Sequence, residues 1–185
     1  MIGFALCGSF CTISNALCEM EKLSVDHPIQ GILSEAVFST DTRFSPAKTV
    51  IDRVTQITGR PVIHSIVEAE PLGPKEPLEA LVICPCTGNT LAKMANGITD
   101  TAVTMAAKAH LRADRPLIIA LASNDALSAN LKNIATMLSR KHVYFLPMKQ
   151  DDPEKKPHSL VADFTLLRPV LESAFSGKQY RKLFL

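Results

Sequence analysis

Apolar residues fall along this chain in short unbroken runs, separated by stretches where they recur every third or fourth position. Residues 2–7, 29–38, 80–84, 117–122 and 143–146 are runs of the first kind. Runs this short and continuous predict strands covered on both faces, as in a parallel sheet. Val62-Ile63 adds a shorter candidate. Between them, Ile13, Ala16, Leu17, Met20 and Leu23 recur at helical spacing, as do Ala47, Val50, Ile51, Val54 and Ile57. Ser45-Pro46 reads as the cap and first-turn proline of that second helix, and Gly59 with Pro61 as its stop. A turn of helix is predicted over 91–96 and an alanine-rich, tightly buried helix over 101–113. A helix opened by Ser123-Asn124-Asp125 carries Leu127, Leu131, Ile134, Ala135 and Leu138 on one face. Residues 60–79 read as an irregular loop punctuated by Pro71, Gly73, Pro74 and Pro77, with one helical turn over 65–69. Residues 147–159 read as a proline- and charge-rich connection, and Leu160, Phe164, Leu167, Leu171 and Phe175 as an amphipathic helix before a basic tail of Lys178, Arg181 and Lys182. Six strands alternating with helices predict an α/β fold with a Rossmann-like, doubly wound parallel sheet, spanning residues 1–185 as one domain.

The polar residues that follow these runs carry the candidate chemistry. Gly8-Ser9, Ser39-Thr40, Thr87-Gly88-Asn89-Thr90 and Ser123-Asn124 each stand at the predicted carboxyl end of a strand. Carboxyl ends line one edge of a doubly wound sheet, which is where such sheets bind ligands. The densest cluster follows the run that Pro85 ends. A buried strand delivering hydroxyls and an amide to a helix start can hold an anion or the polar edge of a cofactor; a plain turn capped by Thr or Asn is the other reading. The four clusters are short of carboxylates and contain no histidine, so the predicted pocket suits binding more than acid–base chemistry. Neither a three-glycine dinucleotide fingerprint nor a Gly-Lys-Ser/Thr loop occurs, which argues against NAD or ATP held in the usual ways.

Composition narrows the classes further. The chain has 185 residues, 46% hydrophobic and 21% charged, with a net charge of +2. That charge, with two Tyr and no Trp, gives no footprint for nucleic acid. No apolar run approaches the ~20 residues of a membrane span, and the opening residues have no basic n-region of a signal peptide. Five cysteines (Cys7, Cys11, Cys18, Cys84 and Cys86) in strands and a helix read as reduced thiols of a cytoplasmic protein. Cys84-Pro-Cys86 has no second pair at metal-ligand spacing, so no metal is expected.

Pro85-Cys-Thr-Gly-Asn-Thr90 resembles the Pro-x-Ser/Thr-x-Asn-Thr signature of the flavoprotein family that includes the flavin-containing cysteine decarboxylases. Gly8-Ser9, Ser39-Thr40 with Phe44, and Gly97-x-x-Asp100 match that family's order. The resemblance implies loops that cradle FMN, often between subunits of a homo-oligomer. Gly8 and Ser9 would then approach the flavin, Ser39 would meet its phosphate, and Asn89 and Thr90 the ribityl chain or ring edge, with Thr40 also among the cofactor-binding residues. Pro85, Thr87, Gly88, Ser123 and Asn124 would complete the wall.

Thr42-Arg43-Phe44 and residues 69–75, 104–108, 123–127 and 150–159 are similar to a narrower branch of that family. Its members are the second subunits of a two-subunit enzyme that makes pyridine-2,6-dicarboxylate during sporulation, in the mother-cell cytoplasm. There, NADP or NAD is carried by a first, dehydrogenase-like subunit, in keeping with the missing fingerprint here. Arg43, Lys155 and Lys156 are the candidate readers of a dicarboxylate substrate or of that partner. Two features depart from the decarboxylases. No histidine lies within 65–80, the nearest being His64, and their Pro-x-Met-Asn segment is replaced by Ala122-Ser-Asn-Asp125. A non-catalytic stabilising partner with a vestigial flavin pocket, or an FMN-dependent decarboxylase-like protein, are the other readings.

Overall fold

Strand β1 (Ile2–Leu6) is buried along its whole length, as its unbroken apolar run requires. A 3-10 turn over Phe10–Thr12 leads into helix α1 (Ile13–Ser24), which buries Ile13, Ala16, Met20 and Leu23. The computed structural model describes residues 1–73, 75–180 and 182–185; Pro74 and Arg181, named above in the irregular loop and the basic tail, lie outside the described residues. The second apolar run is not one strand. It divides into β2 (Ile29–Leu33) and a short helix α2 (Glu35–Ser39), with Ser34 between them. Helix α3 (Ala47–Thr58) ends at Gly59, whose φ of 65° is the left-handed conformation that glycine adopts without strain. Its start differs from expectation. The N–H of Ala47 is accepted by Asp41 Oδ1 at 2.8 Å, while the Ser45 hydroxyl turns to the Pro46 carbonyl. Val62-Ile63 contributes one parallel bridge, Ile63 to Ile32, rather than a strand. Helix α4 (Ile66–Ala69) is closed by a capping box between Ser65 and Glu68.

Strand β3 (Ala80–Cys86) is buried throughout and carries a cis Cys84–Pro85 peptide. Helix α5 (Gly88–Ala95) begins three residues before its first apolar position, because the Thr87 side chain caps it. Helix α6 (Ala102–Leu111) buries alanines 102, 106, 107 and 109 and is capped by Thr101. Strand β4 (Leu117–Ser123) is again buried throughout. Turns over residues 124–130 delay helix α7 (Leu131–Leu138), which was expected to open at Ser123. Strands β5 (Val143–Phe145), β6 (Met148–Lys149) and β7 (Leu160–Ala162) follow, then helix α8 (Leu167–Phe175). The residues expected to be a plain connection and the first turn of a helix therefore form β6 and β7 instead.

The sheet has seven strands, in the order β2-β1-β3-β4-β7-β6, with β5 also paired to β4. β5 runs parallel along the first half of β4, and β7 runs antiparallel along its last two residues. The five parallel strands thus stand in the order 2-1-3-4-5, the doubly wound α/β arrangement, with a small antiparallel extension at one edge. None of its helices is long and apolar enough to cross a membrane, among the described residues.

Helix α6 is tied to the start of β4 by His110, which is fully buried. Its Nε2 lies 2.9 Å from the Pro116 carbonyl oxygen, while Nδ1 is buried without a partner. Of the two neutral tautomers, the one with the proton on Nε2 satisfies that bond, and burial lowers the pKa of the ring below the ordinary 6.5. A base whose folded pKa is depressed binds its proton better in the unfolded chain. Stability should therefore be level above pH ~6.5 and fall as the pH drops below it. Thermal midpoints measured across pH 5–8 should show this fall in the wild type and a smaller one in His110→Gln, which keeps a donor but cannot titrate.

Candidate functional site

In the 2-1-3-4-5 order, the chain leaves β1 toward one side of the sheet and β3 toward the other. The crevice in the gap above their carboxyl ends is where such folds bind ligands. The last backbone bond across the gap runs from the Cys7 N–H to the Pro85 carbonyl at 3.1 Å. Above it opens a cleft of about 520 Å³, lined by Gly8 after β1, by Ser34, Glu35, Ser39 and Thr40 at and after the end of β2, and by Thr87, Asn89 and Thr90 after β3. Lys93 and Thr101 close its far wall.

Its polar groups are held in place locally. The Thr87 hydroxyl accepts from the Thr90 N–H at 3.2 Å and donates to Thr90 Oγ1 at 3.1 Å. Thr90 in turn donates to Cys7 Sγ at 3.4 Å. Asn89 is exposed to the cleft, with its side-chain donors and acceptor free of the hydrogen bonds that fix its neighbours. Ser39 donates its hydroxyl to the Glu35 carbonyl at 2.8 Å and keeps its lone pairs. Ser34 bears most directly on a ligand, since its Oγ is buried and has no hydrogen-bond partner. A buried hydroxyl left unpaired costs roughly 1–3 kcal/mol, and a bound ligand would remove that cost.

The cleft's charge is balanced. Lys93 is paired with Asp100 at 2.9 Å, which lowers the aspartate's pKa through that hydrogen bond, and Glu35 stands on the opposite wall. Beneath the lining, burial pushes the Cys7 thiol up to about 11, so it is uncharged and not a nucleophile at neutral pH.

Several residues expected at the site lie elsewhere. Pro85 is buried within β3 and meets the cleft only through the strand it belongs to. Ser9 accepts from the Thr12 hydroxyl and shapes the turn beneath the cleft. Gly88 is buried on the reverse side of the α5 start. A Cβ there would run into the Ser123 hydroxyl and come within 2.6 Å of Asn130 Nδ2 and 2.9 Å of Asp125 Oδ1. Ser123 itself donates to Asp125, and Asp125 accepts from Asn130 at 2.9 Å. Asn130 accepts from Asn133 at 2.8 Å. Asn124 is exposed outside this network. Arg43 is exposed, its guanidinium 4.8 Å from the centre of the Phe44 ring. That pair borders a neighbouring, more apolar hollow of about 340 Å³ lined by Phe10, Val37, Thr40 and Phe44, which meets the cleft at Thr40. Lys155 and Lys156 sit in the loop between β6 and β7, and Lys156 is bound to Asp151 at 2.9 Å. The register Ser123 to Leu160 places that loop at the carboxyl end of β4, on the cleft's edge of the sheet but outside its lining. His64 stacks on Phe38 at 3.9 Å, one residue before Ser39.

Ser34 was missed by sequence reasoning. The signal for it was the polar Ser34-Glu35 pair interrupting the second apolar run, which marks the true end of β2.

A 2-1-3-4-5 sheet with a hydroxyl- and amide-lined cleft at its switch point is a doubly wound α/β fold of Rossmann-like type, and the comparisons give its family. The Flavoprotein family profile matches residues 2–164, and the chain belongs to that family. Within it, the chain is similar to the dipicolinate synthase B subunit of Bacillus subtilis (strain 168). The two are 41% identical over 185 residues, covering 100% of this chain and 92% of that one. The crystal structure of the dipicolinate synthase B subunit from Bacillus halodurans C superposes with a TM-score of 0.91 at 40% identity, covering 100% and 95% of the two chains. The FMN-dependent cysteine decarboxylase SpaF shares the fold, with a TM-score of 0.69 at 20% identity over 94% and 95%.

The reverse-side network yields a test. Gly88→Ala forces a methyl into Ser123 and Asn130, and overpacking of this kind costs about 1–3 kcal/mol. Asp125→Ala leaves two buried donors unpaired at a comparable cost. The Asp125 pKa is lowered, chiefly by the Ser123 hydroxyl and then by Asn130, so its share of stability is present above pH ~4 and lost as the pH falls through the folded value. Urea unfolding at pH 7 should report both losses, and the Asp125→Ala penalty should shrink at pH 3.

Proposed function

We propose that this chain is the B subunit of a dipicolinate synthase. With a pyridine-nucleotide-dependent A subunit, it serves to oxidise a dihydro- or hydroxytetrahydro-dipicolinate to pyridine-2,6-dicarboxylate in the mother cell of a sporulating bacterium. The reading is carried by full-length kinship with dipicolinate synthase B subunits, joined to a cleft whose lining is neutral and hydrogen-bonding.

FMN fits that cleft on the chemistry of its donors. Ser34 offers an unsatisfied buried hydroxyl, the N-terminus of α5 offers backbone N–H groups with Thr87 as its cap, and Asn89 can both donate and accept. In this reading Ser34, Ser39 and Thr40 hold the phosphate, and Asn89 and Thr90 the ribityl chain or ring edge. Gly8 lets the backbone approach closely. A bound flavin would supply two-electron redox chemistry; the chain's own groups bind, orient and exclude water. Arg43, its guanidinium backed by the Phe44 ring, is the reader of a substrate carboxylate. Lys155, which has no ion-pair partner among the described residues, faces the substrate or the dehydrogenase-like partner.

A second reading, a non-catalytic protein that stabilises its dehydrogenase-like partner, is favoured by the absence of histidine and cysteine from the cleft's lining among the described residues. The two separate on colour and on turnover. The purified chain titrated with FMN should quench flavin fluorescence at a single site. Ser34→Ala and Asn89→Leu should each weaken that binding about tenfold, the equivalent of ~1.4 kcal/mol, with an unchanged circular dichroism spectrum. A folded Asn89→Leu that keeps wild-type affinity would sink its assignment. Mixed with the partner dehydrogenase, substrate and NADP, the wild type should form pyridine-2,6-dicarboxylate at a rate that Arg43→Lys lowers. Unchanged product formation when this chain is left out would overturn the role in synthesis.

A further inference from the structure

Helix α5 begins at the cofactor cleft and ends, about 12 Å along its axis, at a second hollow with which that cleft shares no lining residue. This hollow encloses about 340 Å³ between Met94, Gly97 and Ile98 at the end of α5 and Thr104, Ala107 and Leu111 along one face of α6. The volume falls within the roughly 300–1,000 Å³ of small-molecule sites. Its floor is apolar, and three cations stand around it: Lys108 on α6, Arg112 at the C-cap of α6, and Arg140 just beyond α7. No carboxylate is among its lining residues.

Elsewhere on the molecule Lys22, Lys48, Arg53, Lys93, Lys141, Lys156 and Arg168 each meet a carboxylate, while Arg60, Arg115, Lys132 and Lys149, scattered singly, do not among the described residues. Lys108, Arg112 and Arg140 enter no ion pair among the described residues. Arg112 caps the helix four residues after Lys108, a spacing at which like charges repel. The negative end of the α6 dipole tolerates them, but does not account for their placement around an apolar hollow with Arg140 added from beyond α7. Arg140 is held in position by one N–H donated to the Ala95 carbonyl at 3.0 Å. Its remaining donors stay available, in the fork that suits a carboxylate.

We propose that this hollow binds a small organic acid whose ring or chain lies on Met94, Ile98 and Leu111 and whose carboxylates are met by Arg112, Arg140 and Lys108. Apolar burial supplies contact area, and the cations select for the anion. The site lies apart from the cofactor cleft, so ligands can occupy the two independently.

The test is calorimetric titration of the full chain with phthalate, a planar ring bearing two carboxylates, and with benzamide, a ring without the charge. Phthalate should bind one per chain, and benzamide at least tenfold more weakly. The double variant Arg112→Ala, Arg140→Ala should lose phthalate affinity at least tenfold while keeping its thermal midpoint. Should that variant fold poorly, Lys108→Ala and Arg112→Glu test the same charges singly and should each weaken binding. Arg43→Ala should bind phthalate as the wild type does. Absence of phthalate binding to the wild type, equal binding of benzamide, or retention of affinity in the folded charge variants would overturn the proposal. Loss of phthalate binding in Arg43→Ala with the three cations intact would overturn it too, by placing the anion at the substrate reader proposed above.

Discussion

The side-by-side pairing of β1 with β3 is the constraint on which the rest of the molecule turns. Residues Ile2 to Ala5 pair in parallel with Ala80 to Ile83, yet the chain reaches β2 from one side of this pair and β4 from the other. Two crossovers that diverge cannot both cover the strand ends, so a crevice remains there whatever residues line it. The strands that create it are buried over their whole lengths, so the crevice stands on rigid supports. What the side chains decide is the chemistry of its occupant, not the existence of the cleft.

That division explains which features were legible in the sequence. β1, β3 and β4 are covered on both faces, so each is a short unbroken apolar run, and the turn residues after each (Gly8, Thr87, Asn124) bounded it as a strand. α1 and α3 were legible from their 3.6-residue period. The 29–38 run misled because Val37 and Phe38 are as apolar as the strand before them, and only Ser34-Glu35 marks the change from β2 to α2. β6 and β7 have two and three residues, too few for a period to show. Residues 160, 164, 167 and 171 carry a helical spacing although 160–162 are strand. α5 starts at Gly88 through the Thr87 cap, which hydrophobic periodicity cannot register. At the site, hydroxyls and small residues after strands pointed to the right edge of the sheet. They could not show that Gly88 and Ser123 face each other behind the cleft while Ser34 faces into it.

The electrostatics of the cleft follow from the same construction. Among the described residues its one lining cation is matched to Asp100, the Cys7 thiol beneath it is kept protonated by burial, and its remaining polar side chains are hydroxyls, an amide and the Glu35 carboxylate. Such a lining neither activates a nucleophile nor places an acid against a base. It can discriminate by hydrogen bonding, since a ligand that leaves its hydroxyls and amide unpaired loses the bonds water made to them.

The reverse side of the cleft joins it to the molecule's antiparallel edge. The Leu127 N–H bonds to the His158 carbonyl at 2.9 Å, and Ser123 pairs with Leu160, so the charged loop between β6 and β7 is fastened to the end of β4. Asp125, two residues from each anchor, gathers Ser123 and Asn130 against Gly88. Asn89, the exposed amide of the cleft, is the next residue. The contacts from the loop to Asn89 are thus continuous and close-packed, and such interiors shift as units rather than absorb displacement gradually. A change at that loop which moved the end of β4 would press first on Gly88, the position with no room for even a methyl group. The absence of a side chain there lets the strand end and the helix start sit close enough for the cleft to keep its shape.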